Sequence, residues 1–304
     1  MPHRSVRVLS VLFLIGSVLL SGCQTFQPFA QRTREKISSA RQWANGGLEA
    51  FQCGQLQRAK SFFSRATQTR PEDFRSRANL ARTLHQSGET SDAISQMQQA
   101  VEQSGNDPNM LIELGEMYFA AGQLSPAVRQ AQAALNDNHQ LAGAWKLKAK
   151  VSRARGELSQ ALTEFQKAAG FAPNDQDLQL QIAQTYADAN QPRMALATIE
   201  NLLARLPADS QPENVIISKA NILIDLQQLP SAMAMLKRAS REQQHSEPIL
   251  IQLAQTQLIA GQFSQAQSTL ARGRDLFGDT LELSQLATTI AKQSDSENRL
   301  VRVD

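Results

Sequence analysis

The chain has 304 residues, only 5% of them aromatic, and 31 Lys and Arg stand against 28 Asp and Glu. Ala, Leu and Gln recur throughout, and long runs of β-branched residues are missing outside the N-terminus, which excludes a β-rich fold and argues against a single large core. The net charge of +3 comes without a basic stripe, which excludes a phosphate-binding surface and a nucleic-acid partner.

Residues 1–22 read as a secretory signal peptide. Arg4 and Arg7 form a positive start, and Val8 to Leu20 is an apolar run of 13 residues broken only by Ser and Gly. A membrane-spanning helix needs about 20 apolar residues, so this run is too short to span. It leads into Leu20-Ser21-Gly22-Cys23, which resembles the lipobox of bacterial lipoproteins. The resemblance implies a diacylglyceryl group on the Cys23 thiol, cleavage before Cys23 and acylation of the new N-terminus. An ordinary signal peptide with an incidental cysteine is the other reading. Several acyl chains, at about 0.8 kcal/mol per buried CH₂, anchor stably where one does not. Gln24 follows the cysteine, not Asp. By the sorting rule of many diderm lipoproteins this implies the outer membrane, facing the periplasm; the outer face of the cytoplasmic membrane is the alternative. Loss of Arg4 and Arg7 leaves 29 basic against 28 acidic residues, a net charge of +1. Residues 23–39 are expected to form the lipidated cysteine and a short tether, with helical composition starting near Gln31. Fully extended, that tether reaches about 50–60 Å.

From residue 40 a 34-residue period governs the chain. Ala59, Ala93, Ala127, Ala161 and Ala195 follow it, and after a three-residue slip at Ser210-Gln211-Pro212 it resumes with Ala232 and Ala266. Gly54, Gly88, Gly122 and Gly156 keep the same step, and Gly261 rejoins it; Trp43 and Trp145 are three periods apart. Nine of the 11 prolines lie in this region, each where a helix would start or stop, as the missing N–H of Pro requires. The pattern resembles the tetratricopeptide repeat, a 34-residue antiparallel helix pair. Repeat one supplies Trp43, Gly47, Gly54, Ala59, Phe63, Ala66 and Pro71 at the motif positions, and repeat three Leu114, Gly115, Tyr118, Gly122, Ala127 and Ala134.

The resemblance implies an all-α fold, a right-handed solenoid (an α-α superhelix) of antiparallel helix pairs. Seven units are expected, at 40–73, 74–107, 108–141, 142–175, 176–209, 213–246 and 247–280, followed by a C-terminal capping helix at 281–293 and a flexible tail at 294–304. Small residues at positions 8, 20 and 27 let helices approach closely, and Gly at 15 permits the turn within each pair. Asn190 and Gln227 replace that Gly in repeats five and six, a looser joint is expected near 207–214, and Gly273 at position 27 of repeat seven predicts weaker packing onto the capping helix.

No HExxH, paired CxxC, GxSxG or P-loop occurs, and the four histidines are scattered, so neither an enzyme, a metal, a cofactor nor a small-molecule substrate is expected. Cys53, the only other cysteine besides Cys23, falls at the end of a helix, where a small packed residue is expected.

In the family, positions 2, 5, 6, 9, 12 and 13 of the first helix line a concave groove. That implies Arg75, Asn79, Arg82 and His85 from repeat two, Glu113, Glu116 and Phe119 from repeat three, and Lys146, Lys150 and Arg153 from repeat four. Gln181, Gln184, Asn221 and Asp225 follow from repeats five and six. Lys146, Lys150 and Arg153 share one helical face and suit an acidic peptide. The competing reading is a solvated charge ladder, in which Glu116 neutralises Arg82 and Lys150. The carboxylate clamp of chaperone-binding members is absent, because Lys150 stands where that clamp has Asn. In repeats six and seven the groove turns apolar through Ile217, Ile224, Ile251, Leu258 and Ile259, as a hydrophobic peptide site or as packing for the capping helix. The functional expectation is a membrane-anchored scaffold that binds protein or peptide partners in a bacterial envelope assembly: pilus, secretion, polysaccharide export or outer-membrane biogenesis. A periplasmic peptide-binding holdase is the alternative, and an accessory subunit of an enzyme is a third reading.

Overall fold

A computed structural model describes residues 31–207, 211–242 and 246–300, with side chains as far as Lys292 in the last segment. The signal peptide, Cys23 and residues 301–304 lie outside the described residues. Those described hold fifteen helices and no strand, and they belong to two compact units, Met1–His139 and Gln140–Asp304.

The first unit contains α1 (31–52) and α2 (Leu56–Thr69), α3 (Phe74–Gln86) and α4 (Thr90–Gln103), and α5 (Pro108–Ala120) and α6 (Leu124–Asp137). The second contains α7 (Ala142–Ala154) and α8 (Leu158–Phe171), α9 (Gln176–Asp188) and α10 (Pro192–Leu203), and α11 (Glu213–Asp225) and α12 (Leu229–Glu242). It ends with α13 (Glu247–Ile259), α14 (Phe263–Phe277) and α15 (Leu281–Leu300). The leading helices α3, α5, α7, α9, α11 and α13 thus begin at the first residue of a 34-residue unit.

Local chemistry explains these limits. Asp107 accepts hydrogen bonds from the Asn109 and Met110 amides, Asp175 from Leu178 and Ser246 from Ile249, so each caps its helix. Inside each pair the turn closes with one residue at positive φ: Gly54, Gly88, Gly122, Gly156, Asn190, Gln227 and Gly261, at 57–82°. A bond reaching back five residues completes each turn, as from the Gln123 amide to the Tyr118 carbonyl at 2.8 Å. Gln227 holds this left-handed backbone without the latitude of glycine or asparagine.

Packing repeats as strictly as the turns. All seven alanines of the 34-residue series, from Ala59 to Ala266, are fully buried, and so are Ala66, Ala100, Ala134 and Ala168 at position 27. One turn further along the same helices sit Phe63, Met97, Phe165, Ile199 and Leu236, each at most 1% exposed. In repeat four, where position 11 is Ser152, its hydroxyl donates to the buried Glu164 carboxylate at 2.7 Å, with Lys148 at 3.6 Å.

The structure corrects three expectations. Residues 31–39 are helical, as their composition from Gln31 predicts, and continuous with the rest of α1. The tether expected over 23–39 therefore does not extend past residue 30: Gln31 to Ser39 carries no Gly or Pro, and Gln31 bonds Glu35 one turn on. The last helix runs to Leu300, past 293, so 294–300 is not a tail. Gly273 does not loosen the end of repeat seven: it is buried, and Leu283 of α15 fills the space its side chain would need, with a methyl 3.0 Å from the missing Cβ. The looser joint expected near 207–214 falls partly outside the described residues, which omit 208–210. On either side of them Ala195, Ile199 and Leu202 of α10 share one cluster with Val215 and Ile222 of α11. A cavity of about 380 Å³ beside Gln211 and Ile216 accompanies the insertion.

Two adjacent glycines test the packing rule. A Cβ on Gly47 would meet the buried Phe63 ring at 2.6 Å, whereas one on Gly46 would touch Phe62 at 3.4 Å. Gly47→Ala is expected to cost about 1–3 kcal/mol through overpacking, and Gly46→Ala to gain up to about 1 kcal/mol from helix propensity. Urea unfolding of the two variants gives both signs.

Candidate partner-binding groove

The leading helices present positions 5, 6, 9, 12 and 13 side by side. In the first unit the predicted residues Arg82 and Glu113 form a two-point ion pair between α3 and α5, Nε to Oε2 at 2.7 Å and Nη2 to Oε1 at 2.8 Å. Nη1 of Arg82 donates to Asn79 at 2.5 Å. Arg82 therefore takes Glu113, not Glu116, as its carboxylate. Glu116 and Phe119 are half-buried further along α5. Arg75 is exposed over the Phe74 ring, 5.8 Å from its centroid. His85 is half-buried, and its Nδ1 is covered without a hydrogen-bond partner among the described residues.

In the second unit the basic face of α7 is tied to α9. Lys146 Nζ lies 2.8 Å from Asp177 and 3.4 Å from Asp175, so Asp175 both caps α9 and holds the lysine. Arg153 donates through Nε to Asp188 at 2.6 Å and through Nη1 to Gln181 at 3.0 Å and Gln184 at 3.3 Å. Gln184 passes the connection to Ser218 on α11 at 3.4 Å, and Asn221 accepts from Gln252 on α13 at 2.7 Å. Within the second unit the groove side chains thus form a lattice that runs from α7 through α9 and α11 to α13. Arg153, Gln184, Ser218, Asn221 and Asp225 also line a cavity of about 220 Å³, which brings four of the predicted residues, Arg153, Gln184, Asn221 and Asp225, into one place. Lys150 stands between Lys146 and Arg153, and its charge bears on Asp177.

Asp188 was missed in sequence, although position 13 belongs to the groove set and its spacing from Arg153, one period plus one residue, was available. Asp177, at position 2 of its repeat, also belonged to the groove set, whereas Asp175 carried only a capping signal. Cys53 is exposed in the turn after α1 rather than packed. Among the described residues no group of three His, Cys, Asp or Glu side chains could hold a metal ion.

Charge pairing outweighs desolvation at Lys146 and Asp177. Burial disfavours the Lys146 ammonium, yet the hydrogen bond and charge of Asp177, with Asp175, raise its pKa above the usual lysine value. Burial likewise disfavours the Asp177 carboxylate, but Lys146, Gln181 and Lys150 hold its pKa below the usual aspartate value. The pair's contribution is complete between the unfolded values of Asp, about 3.9, and Lys, about 10.4. It is lost as pH falls through the depressed Asp177 pKa or rises through the elevated Lys146 pKa. With side chains 24% and 56% exposed, it is worth about 0.2–1 kcal/mol. Asp177→Asn is expected to lower the urea midpoint by a constant amount from pH 5 to 9, a difference that shrinks below about pH 4.

Stacked antiparallel helix pairs at a 34-residue step define a helical-repeat scaffold. Residues 50–109, 86–151 and 223–290, together more than half of the chain, match the family model described as tetratricopeptide repeat, and the chain belongs to that family. No curated protein is similar enough in sequence to count as a relative. Among solved structures, a tetratricopeptide repeat protein from Parabacteroides merdae superposes with a TM-score of 0.66 at 13% identity, over 84% of this chain and 99% of that one. Yeast Tom70 gives 0.63 at 18% identity, over 92% of this chain and 59% of that one. Pseudomonas aeruginosa pilF gives 0.57 at 16% identity, over 71% and 96%. At these identities the likeness is one of fold.

Proposed function

We propose that this tetratricopeptide repeat protein is a lipid-anchored scaffold of the bacterial cell envelope, whose second unit captures a protein partner on its groove. The anchor reading rests on the charge, apolar run and Cys23 of the N-terminal segment, and Gln24 supports the outer membrane, facing the periplasm. No helix among the described residues is long and apolar enough to cross a membrane.

The observation that carries the binding reading is the lattice around Arg153, with its cavity open beside Gln184, Ser218 and Asn221. Donors and acceptors fixed by one another are preorganised, so little side-chain entropy remains to be lost when a partner docks. This favours one defined partner over a holdase, which needs adaptable apolar surface. The envelope machine it serves, whether for pili, secretion, polysaccharide export or outer-membrane biogenesis, is set by that partner.

Two experiments test the two halves. Cys23→Ala is expected to move the protein from the detergent-dependent membrane fraction to the soluble fraction; membrane retention of the variant without detergent sinks the anchor reading. A photo-crosslinking residue at the exposed Asn221 is expected to give one stoichiometric product in cells, lost when Lys146, Lys150 and Arg153 are all replaced by Glu with the helical circular dichroism preserved. Many unrelated products would favour the holdase, and unchanged crosslinking after charge reversal would leave the face a solvated ladder.

A further inference from the structure

α15 begins 34 residues after α13, so it stands in register as the leading helix of a further unit. Leu283, Leu286 and Ile290 pack it onto Ala254, Ala266 and Leu270. Its other edge extends the groove. Glu282, Gln285 and Leu286, at positions 2, 5 and 6, face Ile251, Leu258 and Ile259 of α13 across a cavity of about 480 Å³. These are the positions that line the groove in earlier repeats, and the volume is within the roughly 300–1,000 Å³ of ligand pockets.

The slot differs from the lattice upstream. Four aliphatic side chains, Ile251, Leu258, Ile259 and Leu286, line it beside Gln255, Gln285 and Thr289, and Ile259 is left 59% exposed. Its one charged lining residue is Glu282, and Lys292, the nearest base along α15, does not line it. The carboxylates near α7 and α9 are all compensated, Asp175 and Asp177 by Lys146 and Asp188 by Arg153. Among the described residues neither Asp225 nor Glu282 has a basic partner. The α7–α9 part of the face therefore balances its own charge, and the α11–α15 part presents two uncompensated carboxylates, Glu282 in the apolar slot and Asp225 in the cavity upstream of it.

We propose that this end of the groove takes a short segment of the partner protein that seats an apolar side chain in the α13–α15 slot and sets a basic residue on Asp225. The inference rests on the groove reading above and names its ligand chemistry. Charge complementarity chooses the occupant: a cationic, apolar segment gains at both places, whereas an acidic one meets unpaired carboxylates. Geometry sets the spacing. Neighbouring leading helices pack about 10 Å apart, and the Asp225 cavity and the slot are two such steps apart, roughly 20 Å. An extended segment rises about 3.3 Å per residue, which separates the apolar and basic residues by about six positions.

Fluorescein-labelled twelve-residue peptides on a Gly/Ser background, titrated with the full chain and followed by fluorescence anisotropy, test this. A peptide with Leu and Arg six positions apart is expected to bind at least tenfold tighter than one with Glu for Arg, with Ser for Leu, or with the pair two positions apart. Asp225→Lys, at an exposed residue, should reverse the preference towards Glu, and Ile259→Asp should remove the dependence on Leu, both with unchanged melting temperature. Absence of binding by every peptide, equal binding, a wild-type preference for Glu, or an inert Asp225→Lys overturns the inference. If it falls while the Asn221 crosslink persists and is lost on charge reversal of Lys146, Lys150 and Arg153, the groove reading stands alone; failure of both removes both.

Discussion

Close approach of helices at buried alanine is the constraint on which each unit depends. Ala59 and its six successors have no solvent exposure, and no larger side chain would fit between two helices held at that distance. One turn along the same helix stands a large, fully enclosed side chain, as Phe63, Phe165 and Ile199 are. Interiors are close-packed, so adding even one methyl is felt. Because each pair is held by the same small contacts, each leading helix emerges with the same rotation, and the same positions face the groove in every repeat. The groove face is a by-product of alanine spacing.

That face is shaped by pairing within itself. Arg82 with Glu113, Lys146 with Asp177, and Arg153 with Asp188 each join a leading helix to the next one of its unit. Singly, such half-exposed pairs add little to stability. Their effect is positional: each long side chain is steered to one place, and a surface of flexible charges becomes a surface with a pattern. The chemistry left over for a partner is what that pattern does not consume.

Much of the fold can be read from the sequence because the same physical demand recurs every 34 residues. The helix starts, the turn residues and the buried alanines are local requirements, and each is written in residue type. What escaped reading depends on neighbours. Gly273 looks like a weak contact until Leu283 is seen filling its space. Arg82 could face Glu113 or Glu116, one helical turn apart, and rotamer geometry decides between them. Cys53 falls at a helix end, and whether that end is covered depends on what passes over it. Residues 31–39 lie upstream of the motif, so periodicity says nothing of them, although their composition is helical. For the groove, position alone nominated Gln184, Asn221 and Arg153, but their hydrogen-bond order required coordinates.

α15 has a further consequence for how the second unit comes apart. In a repeat array each element is held only by its immediate neighbours, and opening proceeds by increments from its weakest element. α15 is held chiefly by α14 and α13, through one cluster around Leu283 and Leu286, so its amide protons should exchange sooner than those of α9 or α11. A molecule seated between α13 and α15 would add a second set of contacts to that helix and raise the cost of detaching it. Occupancy at the end of the groove would then be readable as slowed hydrogen exchange in the last helix, which couples recognition to the local stability of the array.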